Sequence, residues 1–239
     1  MSVVRNGEVG DWRLPDELFL ETFRLPSREG EGHLARANPL PRDSRIRFDE
    51  HSHSYTIDGR VLAPRSVTGL LHEFTSEFNP DRALVAMKSG RDWLYKKHEM
   101  EQLGLSTEDD EILRRWKMNG QVSSARGTLL HYHAEQMANG SEIEMPHSPE
   151  FTQANSLFDH LLGMGLRPFR TELSMFHCGL RLAGQADLVC RDGDGNLVIV
   201  DWKRVRCVKT ENNYGCMRYP LDHLEECSYW VPSVRINIF

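Results

Sequence analysis

The chain has 239 residues, 27% of them charged and 39% hydrophobic, and a formal net charge of −6. This balance is typical of a globular protein with one sizeable core, and no apolar run approaches the ~20 residues of a membrane span. Acidic side chains near the N-terminus fit neither a secretory signal nor a transit peptide, which favours an intracellular protein of the cytoplasm or nucleus.

Residues 1–45 are interpreted as an N-terminal extension and linker, because their second half is rich in proline, glycine and charge. A β-hairpin is predicted directly after them, with Asp58-Gly59 as its turn. Ser66 is the predicted N-cap of a short helix, and further helices are predicted to begin at Pro80 and near Ser106.

A separate helix is predicted to start at Ser123 or Ser124 and to stop at Asn139-Gly140. His131 and Glu135 are four positions apart on it and share a face. Gly127 is predicted to allow this helix to approach another element closely. A second helix is predicted from about Pro149 to Leu162, and strands begin near Pro168.

Two apolar segments, Leu180–Val189 and Leu197–Val200, flank a loop of Asp, Gly and Asn, which is a strong hairpin signal. This hairpin should bring Asp187 close to Asp201 and Lys203. The last two are two positions apart on a strand, so they point to one face. Carboxylates and an ammonium on one sheet face are what a hard divalent cation and an attacking water require. In an isolated Asp-x-Lys motif, the Asp is more often a turn residue and the Lys is more often solvated, with no function in catalysis.

Three groups of residues together resemble the motifs of the PD-(D/E)XK nuclease superfamily: Glu172, Gly184-x-x-Asp187 and Asp201-x-Lys203. The helical segment Gly127-Thr128-Leu129-Leu130-His131 matches the Gly-Thr-x-x-His signature of its RecB-like exonuclease branch. The N-terminal segment, with Tyr55–Gly59 and Ser66–Thr68, is similar to phage and viral members. The resemblance covers residues 46–239.

The resemblance implies an α/β fold with a restriction-endonuclease-like core, in which helices flank a mixed central sheet of about five strands. Residues 46–120 would form an N-terminal hairpin and helical lobe, and residues 121–239 the catalytic core. The family's Gln-x-x-x-Tyr pair falls on Arg235 and Phe239, so both depart from the pattern. Relatives continue with more helix at this point, and the last helix is therefore expected to be truncated.

The activity implied by the resemblance is that of a DNA exonuclease that hydrolyses phosphodiester bonds with Mg²⁺ or Mn²⁺, in repair, recombination or replication. His131, Asp187 and Asp201 would hold the metal, with a main-chain carbonyl near Trp202 as a further ligand. Lys203 would position and activate the attacking water or stabilise charge on the phosphate. Two further carboxylates would have outer roles: Glu172 would bind metal through water, and Glu135 would support His131.

The expected partners are DNA ends or single strands, with replication or recombination proteins as further partners and no membrane. Basic residues that follow the site are predicted to contact phosphates, although a solvated face is the plainer alternative; they are Arg204, Arg206, Lys209 and Arg235. Tyr214 and Trp202 are candidates for stacking on bases, but a buried aromatic is the commoner meaning.

Two other functions stay open on the sequence. One is a catalytically degenerate nuclease-fold domain that binds nucleic acid or a partner protein, which Arg235, Phe239 and the net acidity favour. The other is an α/β interaction module whose acidic hairpin is accidental. The five cysteines are odd in number and contain no C-x-x-C, which argues against a disulfide framework or an iron–sulfur cluster. A zinc site that combines some of them with His177 or His223 is a weaker alternative.

Overall fold

The computed structural model describes residues 19–20, 32–49, 52–61, 66–142, 148–212 and 215–239. Within these ranges the fold is mixed α/β, with seven α-helices and two three-stranded antiparallel sheets. The helices are α1 His33–Ala37, α2 Val67–His72, α3 Pro80–Ser89, α4 Trp93–Gln102, α5 Asp109–Asn139, α6 Pro149–Gly163 and α7 Trp230–Ile238. The strands are β1 Ile46–Asp49, β2 Ser54–Ile57, β3 Arg60–Val61, β4 Arg167–His177, β5 Leu182–Arg191 and β6 Leu197–Val200.

The chain divides into two compact units. The first comprises residues 1–24 and 77–126, and the second residues 25–76 and 127–239. In the first unit, α3, α4 and the start of α5 pack around Leu84, Met100 and Ile112. The sequence analysis did not predict α4, because no side chain caps its N-terminus and its last turn has no basic residue.

Helix α5 is one continuous helix of 31 residues, where the sequence predicted two. Gly120 lies inside it and costs about 1 kcal/mol relative to alanine, which is too little to end a helix of this length. Gly140, with φ of 66°, ends the helix as predicted. The predicted close approach at Gly127 is wrong: among the described residues, no neighbouring atom lies within 4 Å of where a Cβ would stand.

The predicted hairpin between β5 and β6 is confirmed. Asp192 closes its turn by accepting hydrogen bonds from the backbone of Asp194 and Asn196, and Gly195 has φ of 87°. Because Leu188 pairs with Val200, the register places Asp187 opposite Asp201, where β6 ends. A central sheet of five strands is not found in the described parts of the chain; the order β4-β5-β6 forms a sheet of three.

Helices α5 and α6 cover one face of the β4-β5-β6 sheet. Leu188 and Cys190 of β5 pack there against Leu130 and Ala134 of α5 and Ala154 of α6. A second apolar cluster of this sheet is formed by Phe169, Leu173, Ala186 and Val189 with Leu40. Residues of both parities are buried along β5, so this central strand is covered on both faces.

The N-terminal hairpin forms as predicted and lies in the same compact unit as the β4-β5-β6 sheet. Asp58 and Gly59 both have positive φ, 49° and 74°, as a tight hairpin turn requires. The apolar face of the hairpin packs on Ala183 of β5. Ser66 caps α2, because its Oγ accepts a hydrogen bond of 2.9 Å from the backbone N–H of Gly69.

Helix α7 follows an irregular segment and packs against α2. Phe239 comes directly after it, with its ring against Gly184 of β5. None of the helices in the described ranges is long and apolar enough to cross a lipid bilayer.

Candidate active site

The site is organised around the peptide of Trp202, the residue that follows Asp201 beyond the end of β6. The indole of Trp202 is 7% exposed and packs in the apolar cluster between the sheet and α5. Its backbone N–H donates a hydrogen bond of 2.7 Å to Oδ2 of Asp187. Trp202 therefore fixes the end of β6 against β5, and the predicted alternative of a buried aromatic is confirmed over base stacking.

His131 reaches the same peptide from α5. Its Nε2 lies 2.9 Å from the carbonyl oxygen of Trp202, and its Nδ1 lies 3.5 Å from Oδ2 of Asp187. A carbonyl only accepts hydrogen bonds, so Nε2 carries the proton in this contact. In a neutral imidazole, Nδ1 then directs a lone pair towards Oδ2 of Asp187, so a proton or a bound cation is needed between these two atoms.

Asp201 is enclosed by two basic side chains. Its carboxylate is 1% exposed, with Nζ of Lys203 at 2.5 Å from Oδ2 and Nη1 of Arg235 at 3.3 Å from Oδ1. Lys203 also donates a hydrogen bond of 3.0 Å to the carbonyl of Trp202. The guanidinium of Arg235, predicted to contact a phosphate, thus lies against Asp201 instead, because a buried carboxylate attracts the nearest cation.

The surroundings of Asp187 favour its protonated form when no metal is bound. Burial is the main cause of its raised pKa, and the neighbouring Asp201 raises the pKa further. His131, Lys203 and the N–H of Trp202 act in the opposite direction. A buried carboxyl with a perturbed pKa beside a second carboxylate is a common feature of functional sites.

Glu172 lies on β4, at the position across from Asp187 in the antiparallel register. Its φ of 46° is unusual for a residue other than glycine, and its carbonyl accepts a hydrogen bond of 3.0 Å from Nε2 of Gln185. Backbone strain of this kind, of the order of 1–3 kcal/mol, is concentrated at functional sites. The proposed role of Glu172 in binding metal through water stays a prediction.

Glu135 lies one turn after His131 on α5 and is half-buried. Its carbonyl accepts a hydrogen bond of 3.0 Å from the side chain of Asn139, which also bonds Thr171 of β4. This contact links α5 to β4 close to Glu172. The role of the Glu135 carboxylate behind His131 stays a prediction.

The predicted phosphate contacts fall into different environments. Arg204 lies 3.4 Å from Oε1 of Glu150, whose side chain is 1% exposed, so its guanidinium serves an internal ion pair. The side chains of Arg206 and Lys209 are exposed. Tyr214 lies outside the described residues.

Two buried polar residues were not predicted: Glu150, which pairs with Arg204, and His133, which lies two positions after His131. The segment Ser148-Pro149-Glu150 predicts a helix start, where a first-turn acidic residue is normally exposed. In the structure Glu150 is 1% exposed and pairs with Arg204, next to Lys203. His133 is fully buried, with Nε2 at 2.9 Å from Oγ of Ser148. The helical spacing placed His133 away from His131 but carried no sign of its burial.

Some of the atoms around Trp202 are suitable ligands for a hard divalent cation. Nδ1 of His131 and Oδ2 of Asp187 are nitrogen and oxygen ligands of the type that Mn²⁺ and Mg²⁺ take. The carbonyl of Trp202, predicted as a further ligand, instead accepts hydrogen bonds from Nε2 of His131 and Nζ of Lys203. In the described parts of the chain, no three His, Cys, Asp or Glu side chains are grouped to hold a metal. Asp201 is not a third ligand in this arrangement, because Lys203 and Arg235 occupy its oxygens. The residues therefore fit one cation between His131 and Asp187.

Comparisons with protein-family models, with curated proteins and with solved structures find no match for this chain. What the site does must therefore be inferred from its residues and their geometry.

Proposed function

We propose that this chain is a metal-dependent nuclease that hydrolyses phosphodiester bonds in DNA, acting as an exonuclease on ends or single strands in repair, recombination or replication. One observation carries the proposal: His131, Asp187, Asp201 and Lys203 meet around a single buried peptide, that of Trp202. The sheet edge gathers two buried carboxylates, an imidazole and an ammonium there. Metal-assisted hydrolysis of a phosphodiester needs this combination of groups.

His131 and Asp187 are the residues that would hold Mg²⁺ or Mn²⁺, which supplies a Lewis acid for the phosphate and lowers the pKa of bound water. The N–H of Trp202 fixes Asp187, and the carbonyl of Trp202 fixes His131, so both ligands are oriented before substrate arrives. Preorganised ligands of this kind need little rearrangement when a cation binds.

Lys203 is the residue proposed to act on the scissile phosphate. Its ammonium is held by Asp201 at 2.5 Å and by the carbonyl of Trp202 at 3.0 Å, while a third of its side chain, 33%, stays exposed. An ammonium has three donors, so one N–H remains for a phosphate oxygen or the attacking water. A fixed positive charge at that point stabilises the negative charge that develops in the transition state.

The test is cleavage of end-labelled single- and double-stranded DNA by the wild-type chain with Mg²⁺, with Mn²⁺ and with EDTA. We expect cleavage that requires metal and that falls by about 10²-fold or more in Lys203→Ala, the loss typical of a charged group at the reacting centre. Lys97→Ala, which removes an exposed lysine of α4, is the matched control and should cleave as wild type does. Cleavage that persists in EDTA or in Lys203→Ala would refute the proposal.

A second function, a domain of the nuclease fold that binds DNA or a partner without cleaving, is favoured by the pairing of Arg235 with Asp201. A cation that already neutralises Asp201 reduces the attraction of the site for metal ions. Binding of the same DNA by folded wild-type protein, with no product in either metal, would select this function over the nuclease.

A further inference from the structure

Two basic side chains already compensate the negative charge of the buried Asp201 carboxylate. Both of its oxygens are shielded from solvent, and neither makes a well-aligned hydrogen bond within the described residues. Lys203 contacts Oδ2 and Arg235 contacts Oδ1, so one cation serves each oxygen. A buried carboxylate without such compensation would be strongly unfavourable.

Arg235 is held in place by the helix that carries it. α7 packs against α2, and Phe239 rests on Gly184 of β5. The side chain of Arg235 is only 21% exposed, and its Nε is buried without a hydrogen-bond acceptor in the described structure. Since Asp201 is the anion it contacts, attraction between these two charges is the interaction that accounts for the buried position of Arg235.

We propose that Arg235 is a built-in cation that replaces a metal ion at Asp201, so that the site takes a single metal ion, between His131 and Asp187. The proposal rests on the metal site of the proposed nuclease, but it concerns how many ions bind. Two protein cations on the two oxygens of Asp201 leave no lone pair facing open space for a further ion. A neutral side chain at position 235 would leave Oδ1 uncompensated and able to attract one.

The test counts bound Mn²⁺ ions without DNA, by the loss of the free-ion signal in electron paramagnetic resonance during a titration. We expect Arg235→Gln to bind one more ion per chain than the wild type. That additional ion should be lost again in the double variant Arg235→Gln/Asp201→Asn, because it needs the carboxylate. Arg181→Gln, which neutralises an exposed arginine in the turn before β5, should bind as many ions as the wild type.

An unchanged ion count in Arg235→Gln, in protein whose circular dichroism matches wild type, would overturn the proposal. If Arg235→Gln does not fold, the ions are counted in two other single variants, Arg235→Met and Asp201→Asn. Arg235→Met should gain the ion and Asp201→Asn should not change the count; a lower count in Asp201→Asn also overturns the proposal. In the proposed nuclease site, Asp187→Asn should remove one bound ion. If the wild type binds no ion that depends on Asp187, the nuclease proposal is refuted. The comparison of ion counts between wild type and Arg235→Gln still tests the role of Arg235 in that case.

Discussion

Gly184 shows why a residue of the predicted motif has to be small. A Cβ at this position would stand 2.4 Å from Cε1 of Phe239 and 2.8 Å from Cγ2 of Val67. Carbon atoms in ordinary contact are about 3.5–4.0 Å apart, so a methyl group does not fit unless the ring of Phe239 moves. Gly184 is therefore needed for close packing between β5, α2 and the end of α7.

We expect Gly184→Ala to lower the free energy of unfolding by about 1–3 kcal/mol, as overpacking of a filled site does. Urea denaturation of wild type and variant measures this change. Gly193→Ala, in the turn between β5 and β6, is the matched control, because no described atom lies within 4 Å of its added Cβ. If the clash is with Phe239, Gly184→Ala/Phe239→Ala should lose less stability than the sum of its single variants. Equal stability of Gly184→Ala and Gly193→Ala would contradict the packing role.

His133 is fully buried between α5 and the start of α6, where it meets the ring of Phe151 at 5.5 Å between centroids. Burial lowers the pKa of His133, and the charge of Glu150 only partly opposes this effect. Protonating this imidazole would place an additional charge in the protein interior, so the folded state favours the neutral form.

The wild-type protein should lose stability in mild acid because of His133. The unfolded chain binds a proton there below about pH 6.5, whereas the folded chain does so only at lower pH, so acid favours unfolding. The stabilising effect of the neutral histidine is thus present above that pH and lost as the pH falls. Melting temperatures between about pH 7 and pH 5 should fall less steeply in His133→Gln than in wild type. His160→Gln, at an exposed position of α6, should follow the wild-type curve; a parallel fall in His133→Gln would contradict the assignment.

At the scale of elements, the sequence predicted structure well where the signal is local. The two hairpins have turn residues that demand positive φ, such as Gly59 and Gly195, and both form where predicted. Ser66 and Ser148 cap helices whose starts were predicted within a residue. The errors concern α4, which lacks capping side chains, and α5, where a separate helix was predicted to start at Ser123 or Ser124 although one helix continues through Gly120.

Gly127 belongs to the Gly-Thr-x-x-His segment of α5, and replacing it tests whether packing requires a glycine there. With no described atom near its would-be Cβ, Gly127→Ala should raise the free energy of unfolding by up to about 1 kcal/mol through helix propensity. Urea denaturation measures the change, and Gly120→Ala, equally open, should give a similar gain. Destabilisation by Gly127→Ala alone would show that this position does need a close neighbour.

At the scale of the whole molecule, the residues of the candidate site were predictable, but the distribution of charge around them was not. Asp187, Asp201 and Lys203 are joined by one hairpin, so their proximity follows from a short stretch of sequence. The ion pairs of Arg204 with Glu150 and of Arg235 with Asp201 depend on how α6 and α7 pack, which no local pattern reveals. The structure thus leaves fewer of the predicted basic residues available for DNA.

Because Arg204 and Arg235 are held in ion pairs, few of the predicted basic side chains can contact phosphates. We therefore expect DNA binding by this protein, which has a net charge of −6, to depend only weakly on salt concentration. If Arg206 and Lys209 are the phosphate contacts, log K for duplex DNA should fall with log salt concentration with a slope of about −1.8. Fluorescence anisotropy with labelled duplex, in EDTA and in the Lys203→Ala background, measures the slope without cleavage. Lys209→Gln should make it shallower by about 0.9, whereas Arg204→Gln should leave it unchanged, because Glu150 already holds that guanidinium. Equal effects of the two substitutions would mean that Arg204 leaves Glu150 to bind a phosphate.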